Sequence, residues 1–74
     1  MTKRDFDTYH FIIAYIEKNG YSPTIREIAT GIGVTSTSAA YNRLMRLKDS
    51  GLIQTIPFFH RGIYVIEHQT EKEQ

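Results

Sequence analysis

The sequence contains no cysteine. That removes any disulfide framework and any thiolate metal site, so a domain of this size must be held by packing alone or by a partner. Long apolar runs are missing too: nothing approaches the roughly 20 residues that span a bilayer, and the N-terminus lacks the apolar stretch of a secretory signal. The expected location is cytoplasmic. Strong charge of either sign is also absent, the formal net charge being +1, but this averages two unlike parts. Residues 1–66 hold eight Lys/Arg against five Asp/Glu, for +3, while residues 67–74 hold three Glu and one Lys, for −2. A mildly basic body permits nucleic-acid binding without establishing it. His10, His60 and His68 lack metal-ligand spacing, and no serine stands in a nucleophile-elbow motif. The expectation is a chain that is not an enzyme, with no metal, no cofactor and no evident small-molecule ligand.

What is present is a regular alternation of apolar faces and stop signals. With 74 residues, 41% of them apolar, there is room for one core, and a fold this small buries only about 60% of its unfolded surface. Thr2 and Asp5 resemble a helix start, and Phe6, Tyr9, Ile12, Ile13 and Ile16 recur at helical spacing, predicting a first helix from about Lys3 to Lys18 with those residues on its buried face. Asn19 and Gly20 suit left-handed backbone, and Pro23 imposes a short extended connector over Tyr21–Pro23. Thr24 and Glu27 have capping-box spacing, and Ile25, Ile28, Ala29 and Ile32 supply the stripe of a short second helix ending at Gly31. Gly31 to Val34 suits a tight turn, with Gly31 and Gly33 both able to take positive φ. Ser36 is an N-cap candidate for a third helix over about 36–50, with Ala40, Leu44 and Leu47 as its buried seam and Gly51 as its stop. Leu52–Ile56 and Ile63–Ile66 then read as an antiparallel hairpin around a Pro57–Gly62 loop. Residues 1–66 form the predicted domain, and residues 67–74 a polar, frayed tail.

That order of elements describes a mainly α fold with a small β-hairpin, a three-helix winged helix-turn-helix. A helix that enters the major groove needs short side chains in its first turn, so that its backbone can approach the base edges; Ser36, Thr37, Ser38, Ala39 and Ala40 meet that need, and their amides face phosphate.

The chain from Met1 to Val65 resembles, without a gap, the N-terminal DNA-binding domain of LexA-type repressors. The landmarks are Thr2, Arg4, Ile12, Ile16, Gly20, Pro23-Thr24, Glu27-Ile28-Ala29, Gly33, Ser36, Ala39-Ala40, Leu44, Leu47, Gly51, Ile53 and Arg61-Gly62-Ile63. The resemblance implies the winged fold, and it implies sequence-specific binding of double-stranded DNA by a transcriptional repressor or regulator, bacterial or phage-encoded and nucleoid-associated. In that family the third helix enters the major groove and the hairpin lies beside the backbone. The family's self-cleaving peptidase half would have to follow residue 74, so the chain reads either as a lone small regulator or as a piece cut at the hinge.

Departures from the family fall where sequence is read. Ser38, Tyr41 and Asn42 stand where the best-known members carry Asn, Glu and Glu, so the target site should differ. Base-reading candidates are Ser36, Ser38, Ala39, Tyr41 and Asn42. Asn42 can pair bidentately with an adenine edge, Ser38 can serve either kind of base atom, and Tyr41 can lie on a thymine methyl, bond a phosphate or pack over its neighbours. Backbone candidates are Arg4, Thr24, Thr37, Arg43, Arg46, His60 and Arg61, long basic side chains being the usual phosphate contacts. Phe58 and Phe59 leave three readings open: a ring folded on the core, a partner surface, or pressure on the DNA. A second copy of the chain on a pseudo-palindromic site is a further expected partner. The alternative from another class is a winged-helix protein-interaction module that uses the aromatic hairpin.

Overall fold

A computed structural model describes residues 2–57 and 61–66. It contains α1 (Lys3–Asn19), α2 (Ile25–Ile32), α3 (Thr37–Asp49), β1 (Ile53–Thr55) and β2 (Ile63–Val65). The two strands pair antiparallel, with Ile53 opposite Val65, Gln54 opposite Tyr64 and Thr55 opposite Ile63. This is the predicted winged helix-turn-helix. The middle of the expected Pro57–Gly62 loop, and with it the readings of Phe58 and Phe59, lies outside the described residues, as does the expected tail at 67–74.

Each helix begins where its cap chemistry directs. The Thr2 hydroxyl accepts from the Asp5 N–H at 3.2 Å, and the Asp5 carboxylate accepts from the Thr2 N–H at 3.3 Å, so a capping box opens α1. Thr24 and Glu27 repeat the arrangement at α2, with distances of 3.1 and 2.9 Å. Gly20 and Gly33 close the two helices in left-handed backbone, with φ of 83° and 81°. The predicted end at Gly31 is corrected by one residue, α2 running to Ile32 with Gly33 as its cap. Gly31 lies inside α2 and is not among the glycines with positive φ. Its smallness serves packing instead, because a Cβ there would collide with the Phe11 ring of α1.

The core joins Ile12 of α1, Ile28 and Ala29 of α2, Ala40, Leu44 and Leu47 of α3, and Ile53 and Ile63 of the hairpin. The α3 seam is as the spacing predicts. The α1 face is not: Phe6, expected inside, is 43% exposed, whereas Asp5 and Thr8 are fully buried with Ile12. A helix advances about 100° per residue, so the inward stripe runs through 5, 8 and 12 rather than through Phe6. Polar side chains can occupy it because both are satisfied: Thr8 donates to the Arg4 carbonyl at 2.9 Å, and Asp5 meets Arg46 of α3. The strands are shorter than the apolar runs, but the run ends still pair. The Ile56 N–H donates to the Gly62 carbonyl at 2.7 Å and the Ile66 N–H to the Leu52 carbonyl at 2.9 Å.

Candidate nucleic-acid interface

The buried seam of α3 at Ala40, Leu44 and Leu47 turns the opposite face outward. Thr37, Ser38, Tyr41, Asn42 and Arg46 are exposed there, and Ala39 is half-buried at the edge. Ser36 caps the helix, its hydroxyl accepting from the Ala39 N–H at 3.2 Å. Its hydroxyl hydrogen is still available as a donor. Tyr41 is 49% exposed and, with Ile25, Thr37, Ser38 and Asn42, rims a shallow depression at the start of the helix.

The basic candidates separate into two kinds. Arg4 at the start of α1 and Arg43 of α3 line one open groove of about 710 Å³, together with His10, Phe11 and the α2–α3 turn. Neither has an ion pair among the described residues. Arg46 and Arg61 are both engaged within the domain. Arg46 donates through Nε to both Asp5 carboxylate oxygens, at 3.0 and 3.1 Å. Burial acts to raise the Asp5 pKa, but the hydrogen bonds from Arg46 and the Thr2 N–H, with the Arg46 charge, outweigh it and hold this carboxyl below its ordinary value.

Arg61, in the connection between β1 and β2, forms a clamp. Nη1 and Nη2 reach the two Glu27 oxygens at 2.9 Å each, and Nη1 also donates to the Ser22 carbonyl at 2.7 Å. The guanidinium lies 4.7 Å from the centroid of the Tyr21 ring. The hydrogen bonds from Arg61, with that from the Thr24 N–H, hold Glu27 down at about 2. The same contacts keep Arg61 protonated well above its ordinary range. Thr24 is occupied in the capping box, and His60 lies outside the described residues. Among the described residues no cluster of three or more His, Cys, Asp or Glu could hold a metal ion, and no helix is long and apolar enough to cross a membrane.

Residues 1–62 match the family model described as the LexA DNA binding domain. The chain belongs to the LexA family of DNA-binding domains. It is 36% identical over 73 residues to the LexA repressors of Listeria welshimeri and Listeria monocytogenes, which covers 99% of this chain and 36% of each relative. It is 34% identical over 70 residues to a LexA repressor of Staphylococcus aureus, covering 95% of the chain and 34% of that protein. The chain thus spans about a third of the length of these relatives. Within this LexA-family domain, sequence reasoning missed Asp5 as the holder of Arg46. It also missed Lys48, which lines a groove between α3 and the hairpin with Tyr41, Met45 and Pro57. The capping box was a readable signal for Asp5, but its second role depends on a residue 41 positions away.

Proposed function

We propose that this LexA-family domain is the operator-reading module of a transcriptional repressor, and that binding rather than catalysis is its role. In this reading α3 lies in the major groove of duplex DNA, with Ser36, Ser38, Ala39, Tyr41 and Asn42 towards the base edges. Arg4, Thr37, Arg43 and Arg46 meet phosphates. Thr24 and Arg61 then act inside the domain, one as a helix cap and the other as the strut that holds the hairpin in place.

The observation that carries this reading is the outward face of α3. It is short and polar at its first turn and continues into Asn42 and Arg46, on a helix whose opposite side is locked into the core. Small residues let the backbone approach base edges, Asn42 can distinguish adenine, and Arg46 adds charge for the backbone. The deciding experiment is selection of duplexes from a random pool by the purified chain. Enrichment of one motif, lost on substitution of the α3 face, supports the proposal. A pool that stays random would move the protein-interaction reading ahead.

A further inference from the structure

We propose that Asp5 is a positioning residue for DNA binding: it grips Arg46 by Nε and so presents the remainder of that guanidinium to a backbone phosphate. The inference rests on the reading of α3 as the groove helix, and adds to it a residue that touches no DNA. Three observations carry it.

The first is the asymmetry of the pair, Asp5 being fully buried while the Arg46 side chain is 53% exposed. One end is anchored in the domain and the other faces solvent. The second is the choice of nitrogen. Asp5 uses Nε alone, so Nη1 and Nη2, with four N–H donors, have no partner among the described residues. The third is placement. Arg46 follows Asn42 by four residues and Ser38 by eight, on the same exposed face, about 6 Å further along the helix axis than Asn42.

A long arginine side chain loses rotamer freedom when it binds phosphate, and holding its Nε in advance removes part of that loss before DNA arrives. Asp5 is itself held by the Thr2 N–H at the start of α1. Through this chain of contacts the N-terminus of α1 sets the aim of a side chain on α3. Charge alone makes the opposite forecast, because removing a carboxylate beside a polyanion should tighten binding. The two accounts therefore differ in sign.

The test uses the full chain, a duplex recovered by selection and a short duplex of unrelated sequence, at several salt concentrations, with thermal melting followed alongside. Asp5→Asn is expected to weaken both duplexes about five- to tenfold, as for the loss of one charge-assisted phosphate contact. It should also make the log–log salt slope shallower by roughly 0.9, one phosphate contact. In an Arg46→Ala background the same change should weaken nothing further. Asp5→Asn binding as tightly as the parent with an unchanged slope overturns the proposal, as does an equal loss with and without Arg46. Thr2→Ala removes the cap hydroxyl but keeps the N–H on Asp5, and should lower the melting temperature without moving the slope.

If Asp5→Asn does not fold, Arg46→Lys decides. It keeps the charge and the cap, but an ammonium lacks the planar fork that turns Nε to the carboxylate and Nη1 and Nη2 outward, so it should bind both duplexes more weakly than the parent. Parent-strength binding by Arg46→Lys overturns the proposal. A parent chain that binds no duplex at all overturns the reading of α3 itself, and that failure is visible before any variant is made.

Discussion

Asn42 and Ser38 stand on an exposed face one helical turn apart, where the fold asks nothing of them beyond helical backbone. Asn42→Ala and Ser38→Ala should each cost about 1 to 3 kcal/mol in affinity for the selected duplex and leave non-specific binding nearly unchanged. Titration of the two duplex types side by side checks this, and melting curves should barely move because surface changes of this kind usually fall within about 0.5 kcal/mol. Gly31 is the reverse case, exposed at the surface yet decided by packing, because the space beside it is taken by a neighbouring ring. Helix propensity alone says that Ala in place of Gly within α2 should stabilise by about 1 kcal/mol. The added Cβ would meet the half-buried Phe11 ring, so Gly31→Ala should instead destabilise by about 1 to 3 kcal/mol, the range for overpacking. A thermal melt reads the sign directly, and a smaller loss in a Phe11→Leu background would locate the collision.

Among the elements, one device appears twice. In each capping box the third-position acid turns back to its own helix start and also takes an arginine from far along the chain: Asp5 holds Arg46 of α3, and Glu27 holds Arg61 beside the hairpin. The cap thereby becomes a joint between elements. The Glu27 joint has a pH signature. Its carboxyl sits at about 2 in the folded chain against an ordinary 4.5. A carboxylate whose folded value is depressed contributes stability that is complete above the unfolded value and is lost as pH falls through the folded one. The contribution should be whole above about pH 4.5 and gone near pH 2. In denaturant titrations across that range, Glu27→Gln should be less stable than the parent at pH 7 and converge with it at the acid end. Some acid sensitivity should remain in that variant, because Asp5 is shifted in the same direction. Parallel curves for the two proteins would mean that Glu27 gains nothing from Arg61.

At the scale of the whole molecule, a single core gathers all three helices and the hairpin, and it buries one side of α3 so that the other is presented to solvent. One such module contacts few base pairs, and no long apolar face or heptad in the sequence offers a strong partner surface. The free chain should therefore sediment mainly as a monomer at micromolar concentration. On a pseudo-palindromic duplex with half-sites about one helical turn apart, two copies should bind cooperatively, and inserting half a turn should remove the cooperativity. Cooperativity that survives the insertion, or a stable dimer in free solution, would contradict this and favour the reading of Phe58 and Phe59 as a partner surface.

Local chemistry was enough to place most of the fold. Thr2, Thr24 and Ser36 start helices because their hydroxyls answer unpaired amides, Gly20 and Gly33 stop them because left-handed backbone needs no Cβ, and the Ala40, Leu44, Leu47 spacing assigns the inner side of α3, and with it the outer side where DNA would be read. Those determinants act within a few residues of one another, so periodicity and cap spacing carry them. The orientation of α1 escaped that logic. Asp5 could go inside and Phe6 remain half out only because Arg46, 41 residues later, arrives to satisfy the carboxylate. In the same way, two arginines that look alike as charges have different surroundings: Arg61 is spent on Glu27, Ser22 and Tyr21, while Arg46 keeps one edge to the solvent. The sequence by itself determined which helices form and which face of α3 turns outward. The tertiary structure alone decided which charges remain available to a polyanion, because that depends on partners brought together only by folding.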